Sequence, residues 1–209
     1  MKIVRVQQNT EEWLAIRRGR VTASIMDAVF AKPETQLYQK TIETLADELN
    51  GEDVWHEDAP WMEFGKKHEG DARLAYEWKY DCSTWNDCFL IHDDWPWLGC
   101  SPDFLIGPES APERGGEIKC RKSLDTYYQA VRSTQGKWLG LNRAYYLQIQ
   151  TALAITGFET WDYCNYYINH EQQVQKLHVR EIPRDDRGID EIIERAVAFR
   201  AAYLNKAME

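Results

Sequence analysis

The fold of this chain is decided by residues 99–120, which read GCSPDFLIGPESAPERGGEIKC. Two short segments rich in branched and aromatic residues, Leu98 to Ile106 and Gly116 to Lys122, lie on either side of the turn residues Gly107 to Ser110. Such a pattern is typical of two strands joined by a loop. We therefore predict an antiparallel hairpin whose turn is centred near Ser110.

Three chemically active side chains lie in this hairpin. Asp103 falls in the first predicted strand, and Glu117 and Lys119 fall in the second. Because side chains alternate along a strand, Glu117 and Lys119 share one face, and the turn brings Asp103 opposite Glu117. Two carboxylates can hold a hard cation such as Mg²⁺ while an ammonium stabilises charge on a phosphoryl group, which favours metal-assisted phosphodiester hydrolysis. A solvated ion pair is the alternative for Glu117 and Lys119 taken alone.

The rest of the chain alternates between helical and extended patterns. Apolar periodicity and capping signals predict helices at residues 11–18, 24–30, 36–50, 61–78, 124–132, 143–156 and 187–206. Branched and aromatic segments predict further strands at residues 82–92, 160–168 and 173–182. This order indicates an α/β fold with a central mixed β-sheet flanked by helices. With no linker-like segment in the sequence, we expect a single domain over residues 1–209.

Composition excludes several classes of protein. The 209 residues are 44% hydrophobic, which is enough to build a core and excludes a disordered chain. No apolar run reaches the roughly 18 residues that a membrane helix needs, and the N-terminus lacks the apolar stretch of a secretory signal. We therefore expect a cytoplasmic protein without a membrane partner. The net charge of −9 means that affinity for nucleic acid must come from local basic groups or from a metal ion.

Cysteine usage indicates free thiols rather than a disulfide scaffold, because the five cysteines form no CxxC pair. Cys82, Cys88 and His92 share parity along one predicted strand, which raises the alternative of a zinc site. Along an extended strand they span roughly 33 Å, too far for one ion, so we interpret Cys82 and Cys88 as small buried residues.

Five motifs occur in one order along the chain. They are WLAIRRGRVTAS at residues 13–24, FGKKHE at 64–69, GCSPD at 99–103, EIKC at 117–120 and YLQIQ at 146–150. The third and fourth resemble the PD-(D/E)xK nuclease core, a restriction-endonuclease-like fold. The whole series resembles the phage lambda exonuclease family, also called YqaJ-type or alkaline exonucleases. The resemblance covers about residues 13–150.

The resemblance implies a metal centre and a catalytic lysine. Asp103, Glu117, the carbonyl of Ile118 and Glu69 correspond to the family's residues at or near the metal, and Lys119 corresponds to its catalytic lysine. The implied cofactor is Mg²⁺, with Mn²⁺ as a substitute, since the two share a preference for hard oxygen ligands. Without the motif, Glu69 reads as an ordinary exposed helix acid.

The resemblance also implies residues that handle the substrate. Gln148 matches the family's active-site glutamine, Arg17 and Ser24 match positions associated with a terminal 5′-phosphate, and Met62 aligns with a wedge residue that opens the duplex. Ser24 with Asp27 is typical of a capping box, and a helix beginning there would offer free backbone N–H groups to an anion. The alternatives are a buried amide for Gln148, a simple helix cap for Ser24 and core packing for Met62.

The function implied by the resemblance is a Mg²⁺-dependent 5′ to 3′ exodeoxyribonuclease. It would digest one strand of linear double-stranded DNA to mononucleotides and leave a 3′ overhang for a single-strand annealing recombinase. Its partners would be duplex ends with a 5′-phosphate and two further copies of the chain in a homotrimer ring. One departure is Glu34, which stands where the family pattern is basic. The alternatives are a structure-specific or nicking endonuclease on the same core and a non-catalytic DNA-end binding module.

Overall fold

The computed structural model describes residues 1–52, 60–133 and 137–209. Within these ranges the helices are α1 (Glu11–Arg17), α2 (Met26–Val29), α3 (Gln36–Leu49), α4 (Pro60–Tyr80), α5 (Leu124–Arg132), α6 (Arg143–Thr156) and α7 (Asp186–Ala207). The strands are β1 (Lys2–Arg5), β2 (Val21–Thr22), β3 (Thr84–Trp85), β4 (Cys88–Ile91), β5 (Leu98–Cys100), β6 (Phe104–Ile106), β7 (Arg114–Arg121), β8 (Thr160–Asn169) and β9 (Val174–Pro183). None of these helices combines the length and apolar character needed to cross a membrane.

The strands form two mixed sheets. The first has the order β1-β4-β5-β2, with β2 parallel to β5 and the other pairs antiparallel. The second has the order β3-β6-β7-β8-β9, with β7 parallel to β8 and the other pairs antiparallel. The predicted α/β class with mixed pairing is therefore confirmed, although the described strands make two sheets where we expected one.

Both predicted strands that precede β7 are divided between the two sheets. The segment 82–92 contains β3 and β4, and the segment 98–106 contains β5 and β6. Pro102, which lies between β5 and β6, has no N–H to donate and so cannot continue a ladder of hydrogen bonds. The chain therefore leaves the first sheet at Cys100 and enters the second at Phe104. Asp103 lies just before β6 and not inside a strand, which corrects the prediction.

The predicted hairpin between β6 and β7 is confirmed. Phe104 pairs with Gly116, so the preceding residue, Asp103, faces Glu117. The Asp103 N–H donates to the Gly116 carbonyl at 3.2 Å, which extends this register by one step. A side chain at Gly116 would place its Cβ 2.0 Å from the Phe104 ring, so the close approach of the two strands requires glycine here.

Two clusters of buried side chains cover the opposite faces of the second sheet. One cluster packs α4 against the sheet and includes Ala72, Tyr76, Phe104 and Ile118. The other fills the space among α6, α7 and both sheets, and its largest fully buried member is Trp161. Helices therefore flank the sheet as predicted. The alternation along β7 sends Ile118 toward α4, which leaves Glu117 and Lys119 on the other face.

Candidate active site

The hairpin brings together the three residues that the sequence proposed as the catalytic group. The Ile118 N–H donates to Asp103 Oδ2 at 2.6 Å, which holds that carboxylate across the start of β7. Lys119 Nζ donates to Glu117 Oε1 at 2.5 Å. Glu117 is only 4% exposed, and its ion pair with Lys119 lies at the edge of the core. The solvated ion pair considered from sequence is therefore wrong, because the glutamate of this pair is buried.

The electrostatics of the group point to an excess of buried negative charge. Burial raises the pKa of Asp103 well above its usual range, and the nearby carboxylates of Glu117 and Glu69 raise it further. The pKa of Glu69 is also raised, first by burial and then by Glu117, while the neighbouring cations partly offset this. Burial alone would lower the pKa of Lys119, but the charges of Glu117 and Asp103 outweigh it and raise the pKa.

These observations fit a divalent cation. Asp103, Glu117 and Glu69 supply oxygen ligands, which Mg²⁺ and Mn²⁺ prefer. Their mutual repulsion in a poorly solvated position would be relieved by a positive charge, since buried charges are normally paired or bind a metal. Glu69 reaches this group from α4, so its electrostatic coupling to Glu117 depends on how the helix packs against β7.

Two residues beside Lys119 were not predicted from sequence as part of the site. Lys119 Nζ lies 4.8 Å from the ring centre of Tyr145 on α6, and the Arg121 guanidinium lies 5.7 Å from the same ring. Arg121 also donates to Asn165 Oδ1 at 2.6 and 2.9 Å and to the Tyr163 hydroxyl at 2.6 Å. Tyr145 immediately precedes the YLQIQ motif, so its position next to that motif was the available sequence signal.

Two further predicted residues have different outcomes. Gln148 is half-buried on α6. The buried amide that satisfies backbone groups is instead Gln150, which donates to the Pro183 carbonyl at 2.9 Å and accepts from the Asp185 N–H at 2.9 Å. Met62 belongs to α4, but its side chain lies outside the described residues.

Arg17 and Ser24, proposed for the 5′-phosphate, lie side by side. The Arg17 guanidinium donates to Ser24 Oγ at 3.3 Å and to Thr22 Oγ1 at 3.4 Å. The interpretation of Ser24 as a helix cap is wrong. Ser24 sits inside a 3-10 turn at Ala23–Ile25, its hydroxyl bonds to the Thr22 hydroxyl at 3.0 Å, and α2 begins later without a side-chain cap.

A tryptophan connects this pair to the loop that carries Asp103. The Arg17 guanidinium stacks over Trp13 at 4.3 Å from the ring centre, and burial lowers the pKa of Arg17. Trp13 Nε1 donates to Ser101 Oγ at 2.8 Å, two residues before Asp103. The Gln8 amide donates to the Pro102 carbonyl at 3.0 Å, so two N-terminal side chains hold the loop that carries Asp103.

A separate group of ligand-type side chains lies on another face of α4. His68, Asp71 and His170 place one ligand atom each within 4.8 Å of one another. Asp103, Glu117 and Glu69 do not form a group of that closeness among the described residues. The spacing of three residues between His68 and Asp71 on a helix could have indicated from sequence that the two side chains are neighbours. No local sequence pattern relates either residue to His170.

Comparison with known proteins identifies the family of this chain. Residues 12–159 match the YqaJ-like viral recombinase domain. The chain belongs to this family. The matched range contains all of the site residues that were proposed from sequence, from Arg17 to Gln148. No curated protein matches the chain.

Solved structures resemble the YqaJ-like chain over almost its whole length. The alkaline exonuclease LHK-Exo from Laribacter hongkongensis is 28% identical, with 95% of each chain covered and a TM-score of 0.77. The same exonuclease in complex with dAMP is 27% identical and has a TM-score of 0.78. A phage-related exonuclease from Haemophilus somnus 129PT is 16% identical, with 91% of this chain and 96% of that chain covered and a TM-score of 0.68. These neighbours have the restriction-endonuclease-like fold that the sequence predicted.

Proposed function

We propose that this protein is a divalent-metal-dependent exonuclease that digests one strand of linear duplex DNA from its 5′ end. The observation that carries the proposal is the hairpin, where Asp103 faces Glu117 and Lys119 Nζ lies 2.5 Å from Glu117. Membership of the YqaJ-like family and the likeness to LHK-Exo, an alkaline exonuclease, support it. The complex of LHK-Exo with dAMP supports mononucleotides as products.

The metal would be held by Asp103, Glu117, Glu69 and the Ile118 carbonyl. When bound there, Mg²⁺ supplies charge neutralisation at the phosphate and lowers the pKa of a coordinated water. The Ile118 N–H orients the Asp103 carboxylate by a charge-assisted hydrogen bond, which fixes one ligand in advance. Because the carboxylate is already oriented, it does not have to rearrange when the cation and the phosphate bind.

Lys119 would stabilise the charge that develops on the phosphoryl oxygens. Its ammonium donates to Glu117 and lies over the Tyr145 ring, so the positive charge has a defined position. Gln148, on the same helix as Tyr145, is proposed to orient the substrate or the attacking water. A positive charge that is already in position stabilises the developing negative charge more strongly in a partly dehydrated site than in water.

The terminal 5′-phosphate would bind at Arg17 and Ser24. A guanidinium and a hydroxyl that already lie 3.3 Å apart can both donate to one phosphate. The Trp13 contact with Ser101 then connects the bound end to the loop of Asp103. We further propose that Met62 opens the duplex end, as the family resemblance implies.

The net charge of −9 bears on how DNA is retained. An acidic protein gains little from general attraction to phosphates, so long digestion requires another means of staying bound. We propose a homotrimer ring around the duplex, with the 3′ overhang passed to a single-strand annealing recombinase. Size-exclusion chromatography with light scattering checks the trimer, and a monomer at micromolar concentration would contradict it.

The deciding experiment compares two forms of the same DNA. A 5′-phosphorylated linear duplex carries a label at one 5′ end, and the same sequence is prepared as a covalently closed circle. We expect immediate release of labelled mononucleotide from the linear form in Mg²⁺ while the circle stays intact. Cleavage of the circle would support the endonuclease alternative. Failure to cleave either form in Mg²⁺ or Mn²⁺ would support a DNA-end binding module.

A lysine variant tests the assigned chemistry. Lys119→Ala is expected to lower the cleavage rate by at least about a hundredfold, because loss of one preorganised charge donor commonly costs 10²–10³ in rate. DNA binding should survive. Lys79→Ala, which removes the same charge from the exposed end of α4, serves as the control and should cleave normally. Normal cleavage by Lys119→Ala would remove this residue from the mechanism.

A further inference from the structure

We propose that His68, Asp71 and His170 form a zinc site that joins α4 to the turn between β8 and β9. His68 and Asp71 come from one face of α4, and His170 comes from the turn that follows β8. Two imidazoles and one carboxylate, with water completing the shell, are a typical ligand set for Zn²⁺. The proposal concerns a second ion, distinct from the cation of the nuclease centre.

The interatomic distances suit a tetrahedral ion. His68 Nδ1 and Asp71 Oδ2 lie 3.2 Å apart. Bonds of about 2.0–2.1 Å to a tetrahedral zinc place two ligand atoms about 3.3 Å apart, so this pair already has the required separation. The ring centres of His68 and His170 lie 5.7 Å apart. The same bond lengths place two imidazole centres at roughly 5 Å, and His170 is exposed on a turn, so a small side-chain movement closes the site.

The burial of the three ligands is graded from inside to outside. His68 is 6% exposed, and its ring packs against Phe64 with 4.6 Å between the ring centres. Asp71 is half-buried and His170 is exposed. An inner ligand held by packing and an outer one near solvent leave a path for the ion and a position for a bound water.

Ligand chemistry separates this site from the nuclease centre. Imidazole nitrogens suit zinc and similar transition metals, whereas Mg²⁺ prefers carboxylate, carbonyl and water oxygens. Glu69, one residue after His68, is turned by about 100° around the helix and interacts with Glu117 and Lys119 instead. The two ions would therefore lie on different faces of α4 and be selected by different chemistry.

The third ligand lies beyond the part of the chain that matches the family. The match ends at residue 159, and His170 follows the end of β8. The pair β8 and β9 is ten residues long on each side, so its turn stands far from the centre of the sheet. A bound zinc would tie this turn to the helix that supplies Glu69.

The test measures zinc binding while millimolar Mg²⁺ occupies the carboxylates. Equilibrium dialysis of the full chain is expected to show one Zn²⁺ that Mg²⁺ does not displace, and Co²⁺ should give the visible absorption bands of a tetrahedral ion. His170→Ala should weaken Zn²⁺ binding by more than about a hundredfold. Loss of a group that only hydrogen-bonds to a metal ligand already costs roughly 10–100-fold in affinity, and loss of a ligand should cost more. Zn²⁺ should also raise the Tm of the unmodified chain but not that of His170→Ala.

Glu171→Gln is the matched control, because it changes the next exposed residue of the same turn and removes a carboxylate outside the group. It should bind Zn²⁺ like the unmodified chain. Asp71→Asn, on the helix, should lose affinity as His170→Ala does. Equal Zn²⁺ affinity of His170→Ala and the unmodified chain would overturn the proposal, as would an equal loss in Glu171→Gln or no zinc binding in excess Mg²⁺.

Discussion

Replacement of Arg114 by methionine tests what holds β7 beside β8. Arg114 donates to both carboxylate oxygens of Asp162, at 2.8 and 2.5 Å, and to Glu181 at 2.6 Å. Asp162 is 1% exposed and pairs in register with Gly116, the residue before Glu117. Arg114→Met leaves the Asp162 carboxylate buried with the Tyr76 hydroxyl as its remaining side-chain donor.

The expected loss of stability follows from this burial. Removal of one partner of a buried ion pair costs about 3–5 kcal/mol, because a charge is left without compensation. The Arg114 side chain is 37% exposed, so water reaches part of the site and we expect the lower end, about 3 kcal/mol. In a chain of 209 residues, this lowers Tm by roughly 6–12 °C in thermal unfolding followed by circular dichroism.

Two further variants distinguish the contribution of the buried Arg114–Asp162 ion pair from that of the exposed Arg114–Glu181 pair. Glu181→Gln removes only the outer partner, whose side chain is 54% exposed, and should cost less than about 1 kcal/mol. Asp162→Asn added to Arg114→Met removes the uncompensated charge and should recover part of the lost stability. The reasoning is refuted if Arg114→Met is no more destabilising than Glu181→Gln, or if the double variant is less stable than Arg114→Met.

Gly116→Ala should destabilise the protein by about 1–3 kcal/mol or more in urea unfolding, because its Cβ would collide with the Phe104 ring at 2.0 Å. Gly70→Ala, in α4 with open space around it, is the control and should stabilise by up to about 1 kcal/mol; destabilisation there would contradict the packing argument. The hydrogen bond from the Tyr146 hydroxyl lowers the pKa of Asp185, the N-cap of α7. Asp185→Asn should therefore cost about 1 kcal/mol at neutral pH. The difference in unfolding free energy between the unmodified chain and Asp185→Asn should have its full value above about pH 4 and should fall as the pH drops through the lowered pKa. A constant difference down to pH 2 would contradict this reasoning.

The hairpin shows how far local patterns reach. The turn residues between Ile106 and Arg114 and the alternation along β7 predicted that Asp103 would face Glu117, and the register confirms this. The same patterns failed to divide the strand at Pro102. An apolar segment has the same sequence pattern whether its residues belong to one sheet or to two. Ser24 was misplaced for a related reason, since a serine before an apolar segment resembles a cap even where its hydroxyl bonds to Thr22.

The sequence by itself determined which residues were proposed as the nuclease group. Asp103, Glu117 and Lys119 lie close along the chain, and the geometry of one hairpin is sufficient to bring them together. The family resemblance implied that Glu69 joins them, and only the tertiary structure decided how distant groups reach them. Glu69 approaches through the packing of α4 on β7, and Trp13 reaches Ser101 from the N-terminal helix. Contacts between segments far apart in sequence depend on how whole helices and strands pack together, and this packing cannot be predicted from the spacing of residues within one segment.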